Sequence, residues 1–337
     1  MCRITGVFNN EKAVELVIKA LEALKVREDA DFWMCTENGD FYAKDLQELK
    51  QRATLKRASK QCIACCSCKP LLPRKGSKNR FVADAEIYNL DEIKAKYHSE
   101  GATSPEVLAG LIENALLDEW VEGAYAYAYW IQDATQGDEV QLARDILGLK
   151  PICFAHTDGF AFASEKKALE AMGYLYAIEL DPRILLRYNI EEDRLSFVKR
   201  AFFEEVPPIK EEKEEIKGEL LKLLRASIGR RIPRGEKFGV LFSGGLDSSL
   251  IAYLCKDLGA DFSCYTAAVE DPEMKEAEDL VYARSIAADL GLELKIKRIQ
   301  VEDIAHYLNE VVPLIDDTNG VKISVALPLY LACEMAK

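Results

Sequence analysis

The stretch Val240-Leu241-Phe242-Ser243-Gly244-Gly245-Leu246-Asp247-Ser248-Ser249-Leu250-Ile251-Ala252-Tyr253-Leu254 decides how the second half of the chain is read. An apolar strand runs into a glycine-rich turn, and the turn runs into a helix. The glycines let the backbone take positive φ and come close to a polyphosphate. The start of the helix offers unpaired N–H groups and the favourable end of a dipole. Ser243, Ser248 and Ser249 add hydroxyl donors, and Asp247 is a carboxylate suited to a Mg²⁺ that neutralises phosphates. No Gly-Lys-Ser/Thr follows, so this is not a Walker loop, and the loop lacks the G-x-G-x-x-G of a dinucleotide fingerprint. A serine-capped helix after a glycine turn is the plainer alternative, and seven matched positions in strand-to-helix context weigh against it.

Outward from this loop the pattern alternates. Phe238 to Phe242 reads as a strand, 246 to 258 as a helix, Phe262 to Ala268 as a strand, and 275 to 290 as a helix. Leu292 to Ile296 follows as a strand and 301 to 311 as a helix. This β-α-β-α order predicts a parallel sheet with crossover helices. Upstream, Pro207-Pro208 and the run Lys210-Glu211-Glu212-Lys213-Glu214-Glu215 read as a solvated linker and a first helical turn, with Leu220, Leu221, Leu223 and Leu224 on the helix beyond.

The first 200 or so residues have a different texture. Ala13, Val14, Leu16, Val17, Ala20, Leu21 and Leu24 recur at helical spacing within Glu11 to Val26. Short alternating or β-branched runs then dominate: Phe81-Val82-Ala83, Ala124 to Trp130, Ile152 to Ala155 and Phe160 to Ala163. Shorter helices are expected at 105 to 118 and 165 to 171. Mostly antiparallel sheets packed with helices should result. The expected division is 1–205 and 206–337.

Composition narrows the function. The chain has 337 residues, enough for two cores, with 49% hydrophobic and 30% charged residues. A net charge of −13 argues against a nucleic-acid partner, since phosphate backbones reward a cationic face. No run of about 18 uncharged apolar residues exists to span a membrane. Met1-Cys2-Arg3-Ile4-Thr5-Gly6-Val7-Phe8 has neither the apolar core nor the cleavage site of a signal peptide, and the expected location is cytoplasmic.

Ten cysteines are present. Cys35, Cys153, Cys255, Cys264 and Cys333 lie in apolar stretches and read as small buried hydrophobes. Cys62, Cys65, Cys66 and Cys68 offer thiolates enough for Zn²⁺ or an iron–sulfur cluster. The spacing is tight, however, and a strand would point Cys66 and Cys68 one way and Cys65 the other. Cys2 has a clearer role. With Met1 removed, its thiol shares a residue with a free α-amine that can act as general base. An incidental N-terminal cysteine is the competing reading.

The loop Ser243 to Ser249 resembles that of the asparagine synthetase family of ATP-pyrophosphatase-loop enzymes. Tyr265-Thr266-Ala267-Ala268, Glu278-Asp279 and Ala283 look like that family's second strand and helix. The resemblance implies that Leu241 and Ala267 contact adenine, that Asp247 holds Mg, and that Asp316, with Ala326-Leu327-Pro328-Leu329-Tyr330, belongs to an aspartate pocket. The N-terminal half is similar to the class II glutamine amidotransferase domain of the same proteins. The likeness lies in Glu122 to Ala128, Ala143 to Pro151 and Phe162 to Leu169. It implies an α+β N-terminal nucleophile sandwich with Cys2 as nucleophile. An α/β parallel-sheet domain of adenine nucleotide alpha hydrolase type should follow.

Several positions depart from the family. Arg3 stands where Gly usually follows the nucleophile, and no R-H-R-G-P-D stretch occurs between Asp29 and Leu72. The oxyanion-donating N-G of N-G-E-I-Y-N is replaced in Asp84-Ala85-Glu86-Ile87-Tyr88-Asn89. Ser104 falls where the family has the acidic residue that grips the glutamine amine. An Asp at the donor position offers an acceptor, and losing one such donor costs on the order of a hundredfold in rate. An impaired or repurposed glutaminase is therefore expected. The family continues past the equivalent of Lys337 with an S-G-x-G-x-D-E loop. A truncated synthetase domain, a nucleotide strand left as an open edge and poor catalysis by the chain alone are accordingly expected.

The functional expectation is an ATP- and Mg-dependent ligase. It would adenylate aspartate or a related acid and transfer ammonia to it, drawn from glutamine if the Cys2 site is active. Its partners are then small molecules, with a homodimer or a C-terminal partner chain completing the protein. Three alternatives stay open. One is a β-lactam-synthetase-like or peptide-cyclase-like ligase using another amine, and another is a tRNA-modifying enzyme with the same loop. The third is a fragment without catalysis.

Overall fold

The computed structural model describes residues 2–24, 30–54, 59–67, 78–99, 101–117, 121–132, 137–203, 212–233, 235–270 and 276–337. The chain divides into Met1–Val206 and Pro207–Lys337. Among the described residues no helix is long and apolar enough to cross a membrane.

The first unit begins β1 (Arg3–Phe8), α1 (Ala13–Ala23), β2 (Asp31–Thr36), β3 (Gly39–Ala43), α2 (Leu46–Thr54), β4 (Cys62–Ser67) and β5 (Arg80–Ile87). It continues with α3 (Leu90–Tyr97), α4 (Ser104–Glu113), β6 (Gly123–Ile131), β7 (Glu139–Arg144), β8 (Cys153–His156) and β9 (Phe160–Ala163). It closes with α5 (Lys166–Ala171), β10 (Ile178–Glu179), β11 (Ile184–Asn189) and β12 (Arg194–Lys199). One sheet has the order β10-β8-β9-β1-β4-β2-β3 and the other β12-β11-β7-β6-β5. The pairings of β1 with β4 and β9, and of β6 with β5 and β7, are all antiparallel.

Four layers result, because the central strands of both sheets have two apolar faces to bury. Ile4, Trp33, Ile63, Val82, Trp130 and Phe162 fill the space between the sheets. The outer face of the first sheet packs against α1 and α5 through Val14, Val17, Leu21 and Leu169. The outer face of the second packs against α3 and α4 through Ile93, Val107 and Leu108. The alternation in β6 sorts its residues between these layers. Ala126, Ala128 and Trp130 point between the sheets, while Tyr125, Tyr127 and Tyr129 point to the helices. All seven apolar positions expected on the first helix are buried.

The expected helix at 105–118 stops earlier, at Glu113, where Ala115 takes a left-handed φ of 52°. Its start is tied by the Glu106 carboxylate, which accepts from Ala102 N and Thr103 N.

The second unit comprises α6 (Lys213–Arg231), β13 (Phe238–Leu241), α7 (Leu246–Asp257), β14 (Phe262–Glu270), α8 (Glu278–Leu290), β15 (Leu294–Gln300), α9 (Ile304–Ile315) and α10 (Gly320–Ala336). A short 3-10 turn, Val301–Asp303, precedes α9. The sheet is parallel with order β13-β14-β15, so β13 lies at an edge of these three strands. Val240, Ala252, Cys264, Ala283 and Ala287 form the core on the side of α7 and α8. Ile299, Val311, Leu327 and Leu331 form the core on the side of α9 and α10. The third strand and the helix after it begin later than their apolar runs suggest. Asp303 accepts from Gln300 N at 3.0 Å and delays the helix by one turn.

Trp130 is fully buried between the two sheets of the first unit and meets Phe8 edge-on at 5.3 Å. Trp130→Ala should cost about 3–5 kcal/mol in urea unfolding, and a loss below about 1 kcal/mol would contradict this packing.

Candidate active sites

Two sites were expected, one in each unit. In the second unit β13 lies beside β14 with Val240 opposite Cys264 and Leu241 opposite Tyr265. Phe242 N donates to Tyr265 O at 2.8 Å, which carries the pairing one residue past the strand. The chain then turns through Ser243 and Gly244 to Gly245, the N-cap of α7. Gly244 has φ 75°, and a Cβ there would lie 2.6 Å from both the N and Cα of Ala283. Only glycine fits, because the turn must pass directly over the backbone of α8.

Hydroxyls knit this turn together. Ser243 Oγ accepts from Gly245 N at 3.3 Å and lies 3.2 Å from Ser248 Oγ, which also donates to Gly245 O. Ser249 N donates to Gly245 O, the first bond of the helix. Its hydroxyl oxygen is buried with no hydrogen-bond partner. The first-turn N–H groups ahead of it have no intrahelical acceptor. An orphaned hydroxyl and open helix donors, beside a glycine turn held against α8, suit a polyphosphate.

The remaining predicted residues of this unit fall on several elements. Leu246 is 84% exposed at the mouth, and Asp247 is exposed beside it on the first turn of α7. Leu241 is exposed at the end of β13, and Ala267 lies two residues beyond its partner Tyr265 on β14. Both stand towards the carboxyl ends of parallel strands, where open α/β sheets bind ligands. Asp316 is the left-handed C-cap of α9 on the opposite face of the sheet from α7. Next to it, Asp317 pairs with Lys322, whose hydrogen bond holds the Asp317 carboxyl below the usual range.

In the first unit the start of β1 is pinned from β9. Ile4 N donates to Ser164 Oγ at 2.9 Å, Ser164 N donates to Ile4 O, and Thr5 Oγ1 donates to Phe162 O. Cys2, half-buried, immediately precedes this anchored strand. From Arg3, the residue after Cys2, runs a chain of charges. Arg3 Nε lies 2.7 Å from Glu165 Oε1, and Arg3 Nη1 lies 3.9 Å from Asp84 Oδ2. Lys150 Nζ lies 3.1 Å from Asp84 Oδ1, and Lys167 pairs with Glu165. The Asp84 side chain is only 8% exposed.

Two cations thus stand against the charge at Asp84, which the sequence showed only as an acceptor in place of a donor. Lys150 is presented by a loop that Asp145 fastens. The buried Asp145 carboxylate accepts from Tyr125 N, Leu149 N and Lys150 N at 2.9–3.2 Å.

Ser104 opens α4, and its hydroxyl accepts from Ile87 N at 3.0 Å. It thus ties β5 to α4. Cys62 and Cys66 face the α1 side of β4, while Cys65 faces the space between the sheets. Burial pushes the Cys66 thiol up to about 12 and the Cys62 thiol well above its ordinary value. Both stay protonated at neutral pH, whereas a ligand must be a thiolate. Among the described residues no group of three His, Cys, Asp or Glu side chains could hold a metal; Cys68 lies outside them. The three described cysteines of the cluster are thus divided between two layers.

Comparison with known proteins agrees with these two units. Residues 1–211 match the glutamine amidotransferase domain family, and residues 219–337 match the asparagine synthase family. A Methanocaldococcus jannaschii protein, provisionally described as a glutamine-hydrolysing asparagine synthetase, is 30% identical over all of this chain and 65% of its own length. The glutamine-hydrolysing asparagine synthetase B of Escherichia coli is 25% identical over all of this chain and 61% of its own. Glutamine phosphoribosylpyrophosphate amidotransferase from Bacillus subtilis superposes with a TM-score of 0.50 at 17% identity, covering 83% of this chain and 70% of its own. That superposition supports the N-terminal nucleophile-type sandwich. The first unit is a glutamine amidotransferase-type domain. The chain belongs to the asparagine synthetase family, and it spans about two-thirds or less of the length of these curated relatives.

Replacing Gly244 by alanine combines a left-handed backbone with a collision against α8. It should destabilise the second unit by about 2–4 kcal/mol, read by urea unfolding with separate probes for the two units. A change below about 0.5 kcal/mol would show that the turn does not pass over Ala283 as described.

Proposed function

We propose that the chain is the ATP-binding and glutamine-using part of a carbon–nitrogen ligase. On this reading residues 1–205 form the amidotransferase domain and 206–337 the nucleotide domain. ATP is held by Ser243 to Ser249 through the open N–H groups of α7 and the serine hydroxyls, with Leu241 and Ala267 against the adenine. The observation that carries the proposal is the Gly244 turn held against α8, which starts α7 with first-turn donors that have no intrahelical acceptor and with the partnerless Ser249 hydroxyl on the same turn.

The reaction that fits is amide formation. The carboxylate of aspartate or a related acid attacks the α-phosphorus of ATP, a P–O bond forms to the acid, and pyrophosphate leaves. Ammonia then attacks the acyl carbon, the C–O bond to AMP breaks, and the amide is released. Splitting the condensation in this way replaces one hard step by two easier ones. The donors of α7 offset charge on the leaving phosphates. Mg²⁺, for which Asp247 supplies a carboxylate, would neutralise phosphate charge when bound. Asp316 is the candidate contact for the acceptor acid.

At the other site removal of Met1 frees the α-amine of Cys2, and the Cys2 thiol passes its proton to that amine as it attacks the glutamine carboxamide. Ammonia leaves, and water releases glutamate from the thioester.

Isothermal titration of the chain with ATP tests the nucleotide site. Binding is expected, weakened at least about tenfold in Gly244→Val, since about 1.4 kcal/mol of strain suffices for that factor. A folded protein that binds no ATP would overturn the proposal. With ATP present, pyrophosphate release should require an added carboxylate, and turnover indifferent to ammonia and glutamine would point to another amine as the nitrogen source.

A further inference from the structure

The charge cluster that begins at Arg3, next to Cys2 in the chain, has a use that the substitutions at its centre obscure. Asp84 stands where a side-chain amide would donate to the oxygen of a tetrahedral intermediate, and a carboxylate cannot donate. Each of its oxygens is instead matched to a cation. Lys150 Nζ is at 3.1 Å from Oδ1, and Arg3 Nη1 is at 3.9 Å from Oδ2. The two cations are not equivalent. Arg3 is held at 2.7 Å by Glu165, which Lys167 also engages. Lys150 is only 14% exposed, carries three N–H donors, and reaches Asp84 from a loop locked by the buried Asp145 carboxylate. A cation fixed in a poorly solvated cleft acts on developing negative charge far more strongly than one in water.

We propose that Lys150, held in place by Asp84, supplies the charge that stabilises the oxyanion formed when Cys2 attacks a carboxamide. This rests on the reading of the Cys2 site given above. Lys150 is the catalytic group, since it would touch the reacting oxygen, and Asp84 is a positioning residue acting through it. The balance of the step is ordinary. The C–S bond forms as the carbonyl pair moves onto oxygen, and the thiol proton passes through the Cys2 amine to the departing ammonia. The oxyanion collapses to the thioester as the C–N bond breaks. Lys150 keeps its proton throughout. The substrate is an amide, and replacing the amide donor by a lysine–aspartate pair keeps the pocket able to hydrolyse it.

The test is glutamate release from glutamine by the full chain with Met1 removed, comparing Lys150→Met, Lys150→Arg, Asp84→Asn and the double variant Asp84→Asn/Lys150→Met. Circular dichroism and melting confirm that each variant folds. Lys150→Met should lower kcat by about a hundredfold, the loss expected for one oxyanion donor, while KM changes by less than about threefold. Lys150→Arg, which keeps the charge, should recover at least about a tenth of the wild-type kcat. Asp84→Asn should lower kcat by about tenfold, and it should add nothing in the Lys150→Met background, because coupled groups are not additive. The proposal is overturned if Lys150→Met keeps wild-type kcat, if Asp84→Asn raises it, or if the wild-type chain releases no glutamate. None of these outcomes bears on the nucleotide site, which is read by ATP binding and pyrophosphate. A ligase fed with free ammonia would survive failure here.

Discussion

The backbone of Gly244 crosses the backbone of Ala283 so closely that a single added carbon would lie 2.6 Å from it. Much of the second unit follows from that crossing. It sets α8 against the turn after β13 and so directs α7 out of the sheet at a fixed angle. The helix start is thereby left with first donors that have no intrahelical acceptor, and the buried Ser249 hydroxyl on the same turn has no partner. Phe242, 2% exposed and paired through its N–H with Tyr265 O, is buried in the same core as Ala283. An anion site made of main-chain groups needs this rigidity, because its donors cannot be re-aimed by side-chain rotation.

The first unit solves a different problem. Its sheets enclose a dry aromatic and aliphatic interior built around Trp33, Trp130 and Phe162. From Arg3, next in the chain to the half-buried Cys2, the protein places carboxylates and cations in alternation. Isolated charges there would be costly, and paired ones are tolerated only when each partner is met. Arg3, Asp84, Lys150, Glu165 and Lys167 meet this condition as a chain of pairs rather than as one bridge. The polar groups that are fully buried nearby, Asp145 and Ser164, hold backbone and leave the charged groups to face the cleft.

Much of this was legible in the residues themselves. The helical period of Ala13 to Leu24, the Ala/Tyr alternation of β6 and the strand–turn–helix around Ser243 each dictate one local structure. Short-range geometry suffices for these. The open edge expected of the nucleotide strand is also present among the described strands. What could not be read was anything carried by distance along the chain. Asp84 looked like a lone acceptor because Arg3 and Lys150 lie far from it in sequence. Only the pairing of β1 between β4 and β9, and the loop held by Asp145, brings them to it. Lys150 stood in plain view within Ala143 to Pro151, yet that segment reads as scaffold until its ammonium is seen against a buried carboxylate. In the same way Ser104 reads as a pocket residue by position, whereas its hydroxyl is taken by Ile87 N. The start of α9 shifted where a capping carboxylate, Asp303, outweighed the apolar run.

The claim on which the account turns is that the main chain at the tip of α7 is a triphosphate cradle. Amide chemical shifts recorded while a nonhydrolysable ATP analogue is added test it most directly. The account predicts that the largest changes fall on the N–H groups of Gly244, Gly245, Leu246, Asp247 and Ser248, with smaller ones at Ala267. Saturable shifts elsewhere in the chain that leave these five amides unmoved would contradict it.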